Sequence, residues 1–382
     1  MSTKRILFFS PYFYPYISGL TQYPYNLFTR SDLPLQVTCL TFAYDAQLPS
    51  EEGKGTALHI LRMPFLFRFS KGFISPSSLS FFWRETKSCD LVVVNLPSCE
   101  GVFLALIAAL THKPIISLLS CEVSLPFSLL NFFASIVLQC GVFIQLLFSK
   151  KIIALTEDYF QSKWIYRLFK HKMEFVLPPI HSSPIDSSYF EKLEKMKKND
   201  TYTVGFCGRI AAEKGVDVLI ESVKNIPNCC LFIAGPSGRE VAGEQAYFLK
   251  ISRMLQVEKI PHHFLGVLSG GELCAFYRAI DVLVLPSVNK TEAFGMVQVE
   301  AMLQGTPVIA SDLPGVRIPI LLTKMGILTP PGDSPAIRKA IQTILENKSV
   351  YSNKVLRQQT EKLFDNEKTY HKIYKIFCSS SS

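Results

Sequence analysis

Residues 287–315 read SVNKTEAFGMVQVEAMLQGTPVIASDLPG, and the run leading into them, DVLVLPS, spans 281–287. After Asp281 that run has the apolar, β-branched character of a buried strand. The polar VNKTE after it forms the exit loop. Phe294 and Gly295 then open a helix, MVQVEAML, whose end is marked by Gly305 and Pro307. Glu292 therefore sits in the loop, and Glu300 lies about one and a half turns into the helix. Free amides at a helix start attract phosphate, and a glycine there lets the backbone approach it closely. Two carboxylates flanking such a site suit hydroxyl-rich groups on either side, a hexose and a ribose. Taken alone, Glu300 would read as a surface or interdomain ion pair; the loop-and-helix setting favours ligand contact.

A second stretch, GFCGRIAAEKGVDVLIESV at 205–223, has the same strand, loop and helix order. Its loop holds Arg209 and Lys214, and two cations after a strand can neutralise a diphosphate and stabilise charge on a leaving group. Lys214 by itself would pass for a solvated lysine beside Glu213. Around these stretches short apolar runs alternate with helix-like segments, the pattern of parallel sheets covered on both faces. The strand candidates are RILFFS, LQVTCLTF, ALHILRM, DLVVVNL, PIISLL, KIIALT and EFVLPP in the first half. In the second they are YTVGFCG, CLFIAG, HHFLGV, DVLVLPS, TPVIAS and GILTPP. Between them HSSPIDSSYFEKLEKMKKND, residues 181–200, reads as linker plus a short helix. The boundary is placed near Ile185, giving domains 1–185 and 186–365. Residues 366–382 form a C-terminal helix packing back toward the first domain, with a frayed serine end.

A chain of 382 residues suits two cores, and 48% hydrophobic with 19% charged residues describes a folded protein. The net charge of +9 is compatible with nucleic acid, anionic lipid or phosphate-bearing substrates. No zinc-finger spacing, RNA-binding signature or tight basic tract is present, so nucleic acid is set aside as a partner. None of the 10 cysteines has CxxC spacing; buried, reduced thiols and a cytoplasmic location are expected. The N-terminal run lacks the long apolar core and cleavage site of a signal peptide.

From Val123 to Ser149 no residue is charged, and Lys150, Lys151, Lys163, Arg167, Lys170 and Lys172 follow. Three readings fit: a core helix with an exposed apolar side, a helix lying on an anionic membrane, or a span over 127–148. A span would cut the first α/β domain in two.

The stretches GRIAAEKGVDVLIESV, IAGPSGRE, FLGVLSGGELCAFYRAIDVLVLPSVNKTEAFGMVQVEAMLQGTPVIASDLPGV and GILTPPGD resemble the donor domain of family-4 (group 1) retaining glycosyltransferases. The match runs almost continuously from Thr203 to Asp333, and Glu292 and Glu300 carry its most specific spacing. The resemblance implies an α/β GT-B fold, two Rossmann-like doubly wound domains facing across a cleft. It implies that Arg209 and Lys214 hold a donor diphosphate, Glu292 the transferred sugar and Glu300 the ribose. Gly208 and the amides of Phe294, Gly295 and Met296 would approach sugar and phosphate, with Gly235 and Val267 near the nucleoside. The first half resembles the family more weakly. SPYFYPYISGLTQYPYNL matches the N-terminal loop, with Gly19, assigned by the resemblance to donor binding, present but Leu20 in place of a second glycine. In LLSCEVSLPFSLLN, Ser120 stands where a subgroup carries histidine, with Cys121 and Glu122 after it. Ser120 and Glu122 are thus assigned to the acceptor or sugar side. Either Ser120 donates one hydrogen bond in the histidine's place, or the protein binds sugar nucleotides without turning them over.

The expected reaction moves a hexosyl group from a UDP- or GDP-linked sugar to a hydroxyl of a glycan, lipid or lipopolysaccharide-type acceptor, with retention. The sequence has no DxD, so no divalent metal or other cofactor is expected to hold the diphosphate. A nicotinamide-dependent oxidoreductase would need a GxGxxG between strand and helix, which is missing.

Overall fold

The computed structural model covers residues 1–382 and describes all except 1–2, 17–18, 31, 70–71, 122–128, 181, 198–200, 239–243, 290 and 381–382. It divides into two compact units, Met1–Pro179 with Glu367–Ser382, and Ile180–Asn366.

The first unit runs β1 (Lys4–Phe9), α1 (Gly19–Phe28), β2 (Leu35–Phe42), β3 (Glu51–Glu52), β4 (Leu58–Met63), β5 (Phe67–Phe69), β6 (Gly72–Ile74) and α2 (Ser78–Ser88). It continues with β7 (Leu91–Leu96), α3 (Gly101–Leu110), β8 (Ile115–Leu119), α4 (Leu129–Phe148), β9 (Lys151–Ala154), α5 (Glu157–Phe160), α6 (Trp164–Phe169) and β10 (Met173–Phe175). Its main sheet has the order β10-β9-β8-β7-β1-β2-β4-β3, and only the β3–β4 pair is antiparallel.

The second unit begins with α7 (Ser187–Met196), β11 (Tyr202–Cys207), α8 (Val216–Val223), β12 (Cys229–Ala234), α9 (Gln245–Val257), β13 (His262–Gly266), α10 (Gly270–Ala279) and β14 (Val282–Leu285). Then come α11 (Met296–Leu303), β15 (Val308–Ser311), α12 (Ile318–Thr323), β16 (Gly326–Thr329), α13 (Ser334–Glu346), α14 (Lys348–Tyr351) and α15 (Lys354–Leu363). Its six strands are all parallel, in the order β13-β12-β11-β14-β15-β16. The strand sequence steps outward from β11 to β13, then returns to start again at β14. The carboxyl ends of β11 and β14 therefore flank a topological switch point, where open α/β sheets bind ligands.

The residues explain these elements. β7, β12, β14 and β15 are buried at every position, as parallel strands covered on both faces must be. Helix starts carry side-chain caps: Asp186 accepts from Tyr189 N at 3.0 Å, and Asp333 from Ala336 N at 2.9 Å with Pro335 in the first turn. Every strand candidate becomes a strand. The short β3 and the β5–β6 pair were not foreseen, because runs of two or three residues show no period.

The last helix, α16 (Asn366–Ser380), buries Tyr370, Ile373, Ile376 and Phe377 in the first unit's core with Phe8, Leu27, Val37 and Val93. Just before Glu367, Asn366 accepts from Ile180 N and donates to Ile180 O, both at 2.8 Å. This clamp joins the two ends of the second unit. The change of unit falls after Pro179, a few residues before the sequence boundary at Ile185. The polar composition that marked that boundary starts only after Ile180, which is buried.

Helix α4 occupies most of the uncharged stretch. Gly141, Val142, Gln145 and Leu146 on its inner side are buried, while much of its other side is exposed. Among the described residues no helix is long and apolar enough to cross a membrane. All ten cysteines are free thiols, but they are not uniformly buried as the sequence reading had it. Cys140 is exposed, because it points outward from α4.

Candidate functional site

The loops leaving β11 and β14 meet at the switch point of the second unit. They are joined backbone to backbone, with Val288 N donating to Glu213 O at 3.0 Å. Gly215 makes this approach possible: its φ is +68°, and a Cβ there would lie 2.2 Å from Pro286 O. The junction brings Lys214 against Glu292, whose carboxylate accepts from the Lys214 ammonium. The other Glu292 oxygen accepts from Gly295 N at 3.1 Å. Gly295 itself is left-handed, with φ +74°, and begins α11. Burial pushes the Glu292 carboxyl up, but the Lys214 charge and hydrogen bond and the Gly295 amide together hold it below the usual glutamate value. Arg209, half-exposed, pairs with Glu213 at 2.7 Å in the same loop.

Glu292 thus rests on an ammonium and a helix-start amide, two donors that an incoming phosphate would also seek. Glu300, in the middle of α11, accepts from the Tyr277 hydroxyl at 2.6 Å. Burial raises the Glu300 carboxyl, with the Tyr277 bond acting against that rise. A glutamate whose folded pKa lies above its unfolded one lowers stability as pH rises through that interval, because the folded state disfavours the charge. Glu300→Gln should therefore be more stable than the parent at neutral pH, with the difference closing as pH falls below the ordinary glutamate value. Chemical denaturation of both proteins across that range checks it; equal stability at neutral pH would contradict the burial argument.

The strand ends beyond β11 are equally crowded. Gly208 N donates to Ala234 O at 3.0 Å and Gly235 N to Gly266 O at 2.7 Å. Phe294 is buried with its ring 6.2 Å from Phe364, which leaves its backbone as the part able to face a ligand. Met296 is half-buried at the first position of α11, and Val267 is exposed just past β13. The structure therefore places Arg209, Lys214, Glu292 and Gly295 in the loops and helix start after β11 and β14, with Glu300 mid-way along α11. Gly208, Gly235 and Val267 lie at neighbouring strand ends. Gly19 and Ser120 belong to the first unit, at the start of α1 and directly after β8, and Glu122 lies outside the described residues.

Sequence reasoning missed Tyr277 and Gln298. Tyr277 lies on α10, remote in sequence from Glu300, and no spacing rule links them. Gln298 is fully buried and donates from Nε2 to Phe294 O and Val316 O, both at 2.9 Å, holding the turn into α11. A buried glutamine within a helix of mostly apolar residues was a readable signal. Among the described residues, Asp32, Glu367 and His371 lie close enough to hold a cation. They are exposed in the first unit, and Arg30 already bridges Asp32 and Glu367 at 2.6 Å each.

Comparison with known proteins bears on the same region. The sequence model of the family "Glycosyl transferases group 1" matches residues 189–363. The phosphatidyl-myo-inositol mannosyltransferase of Mycobacterium leprae is 37% identical over 150 residues, 38% of this chain and 37% of that protein. The chain thus spans little more than a third of the length of the curated relatives it matches. Solved structures align over nearly the whole chain. Anabaena HepE in complex with UDP gives a TM-score of 0.76 at 19% identity, covering 98% of this chain and 100% of that one. Sucrose-phosphate synthase from Thermosynechococcus elongatus gives 0.75 at 18% identity, covering 98% of each chain. The chain therefore has the GT-B fold of two Rossmann-like domains, and its residues 189–363 carry the sequence pattern of group 1 glycosyl transferases.

Proposed function

We propose that the chain is a retaining glycosyltransferase that moves a hexosyl group from a nucleoside diphosphate sugar to an acceptor hydroxyl. The observation that carries this reading is the meeting of Lys214, Glu292 and the Gly295 amide at the β11/β14 switch point, with Arg209 in the same loop as Lys214 and Glu300 further along the helix that Gly295 opens. The match of residues 189–363 to a glycosyl transferase family supports it. Lys214, Arg209 and the start of α11 take the diphosphate and stabilise the charge left on it. Glu292 holds the transferred sugar and Glu300 the ribose. Gly19, Gly208, Gly235, Val267, Phe294 and Met296 line the donor, and Ser120 and Glu122 serve the sugar and acceptor side. As the bond from the anomeric carbon to the phosphate oxygen breaks, the acceptor oxygen bonds to that carbon on the same face. The acceptor's proton passes to the departing phosphate oxygen, so no protein nucleophile is needed. The two cations and the helix start replace a divalent metal, a reading supported by the lack of a DxD.

The acceptor belongs to a glycan, lipid or lipopolysaccharide-type class. The mannosyltransferase relative, named for phosphatidyl-myo-inositol, supports the lipid option. Peripheral work at the cytoplasmic face of an anionic membrane is part of the same proposal, supported by the uncharged stretch 123–149 and the basic residues after it.

A thermal-shift panel of UDP- and GDP-sugars tests the donor, since ligand bound to the native state raises the melting temperature. One nucleotide sugar should shift the parent protein, and Glu300→Ala should lose that shift while staying folded. Sugar transfer in the presence of a metal chelator tests the rest. Donor binding with no turnover on any acceptor would replace the enzyme reading with that of an inactive homologue, the alternative that Ser120 raises.

A further inference from the structure

Helix α4 has no charged residue, and its outward side shows a row of Phe132, Ile136, Phe143 and Leu147 with Phe133 and Val137 beside it. Helix α3, GVFLALIAAL, is also uncharged and exposes Phe103, Leu106 and Leu110 at positions one turn apart. The two helices pack closely: a Cβ on Gly141 would lie 3.2 Å from Val102 Cγ2. Both helices thus turn exposed apolar side chains to solvent on the first unit. Helices that are apolar all round are ordinarily buried, and an exposed surface of this extent marks a docking site.

The edge of that surface shows what would cover it. Lys150 follows α4 at once and is exposed, as are Arg167 and Lys170 on and after α6. Lys172 donates to Leu147 O at 2.8 Å, which puts a fourth cation at the carboxyl end of α4. The nearby acids are Glu157, Asp158 and Glu174, with Lys170 3.6 Å from Glu157 and Lys151 2.7 Å from Glu174; against Lys150, Lys151, Lys163, Arg167, Lys170 and Lys172 they leave the edge a basic surplus. Trp164 lies beside it, with its ring 6.1 Å from that of Phe143. With Gln139, Cys140 and Ile144 these rings line a shallow recess.

We propose that the α3–α4 face docks on an anionic lipid bilayer. The apolar rows enter the acyl boundary, Trp164 sits at headgroup depth, and Lys150, Arg167, Lys170 and Lys172 meet the headgroup charge. A second copy of the chain is a poorer occupant, because the face offers no acidic side chain to meet the basic edge. The inference rests on the peripheral-membrane reading and names its surface; it is independent of the chemistry of the second unit.

The test is flotation of the purified full-length chain with vesicles of phosphatidylcholine alone or mixed with phosphatidylglycerol, at low and high salt. The parent protein should float with the mixed vesicles at low salt. Phe133→Glu combined with Val137→Glu changes two well-exposed positions, so the melting temperature should hold while partitioning falls roughly tenfold or more. Lys150→Glu combined with Arg167→Glu should abolish the preference for the anionic vesicles. No flotation of the parent would overturn the peripheral reading and the surface together. Flotation undiminished in the Phe133/Val137 variant would overturn the surface alone. A dimeric parent that becomes monomeric in that variant, with no vesicle binding, would assign the face to a second copy. None of these outcomes depends on sugar transfer, which is measured separately.

Discussion

Replacing Lys214 with alanine should reduce turnover by about 10²–10³-fold, the usual loss when one preorganised donor to a developing anion is removed. The structure adds a second consequence. Glu292 and Lys214 are both largely shielded from solvent, and the ammonium is the main influence holding the Glu292 carboxyl below its usual value. In the parent protein the stability that Glu292 contributes is present above the ordinary glutamate pKa. It is lost as pH falls through the lower folded value. Without Lys214, burial acts on Glu292 with only the Gly295 amide and the Arg209 charge opposing it, so its folded pKa rises: the variant should lose stability at neutral pH, and the deficit should narrow as pH falls. Steady-state kinetics and melting curves against pH measure the two effects. Adding Glu292→Gln to Lys214→Ala should recover stability without turnover, separating loss of chemistry from loss of fold. Full turnover in the single variant would defeat the assignment of Lys214.

The second large effect is on folding. Gly235 has φ +131°, and a Cβ there would lie 2.1 Å from Gly208 O, a backbone atom that cannot swing away. Gly235→Ala therefore combines a disfavoured backbone conformation with a collision between the ends of β11 and β12. The expected loss is about 3 kcal/mol. In a unit of this size that corresponds to roughly 6–12 °C in melting temperature. Gly332 is the natural control: its φ is +77°, but nothing lies within 4 Å of the added Cβ. Gly332→Ala should cost only the conformational part, on the order of 1–2 kcal/mol. Equal melting temperatures for the two variants would show that the strand ends yield, and that the close approach at Gly208 is not needed.

Much of this architecture was legible in the chain. The uncharged runs that became β7, β12, β14 and β15 are legible because a strand buried on both faces must be apolar at consecutive positions. The strand, loop and helix order around Glu292 and Glu300 is local, so periodicity and the glycine at the helix start were enough to read it. β3 and the β5–β6 pair were too short to show a period. Tyr277 was invisible as a partner of Glu300 because α10 and α11 are brought together only by packing. The apolar stretch after Ser120 announced a helix, but not that α3 beside it would expose a matching row.

By itself, then, the sequence determined the alternation of strands and helices, the positions of Arg209, Lys214, Glu292 and Glu300 in loops and helix, and the lack of charge along α4. These depend on properties of neighbouring residues, which a linear reading captures. Only the tertiary structure decided that β14 returns beside β11, and this return sets Lys214 on Glu292 although 78 residues separate them. It also decided that the chain changes unit at Pro179, where Asn366 clamps Ile180. Strand order and long-range hydrogen bonds follow from how whole elements bury their faces, and no local pattern records that choice.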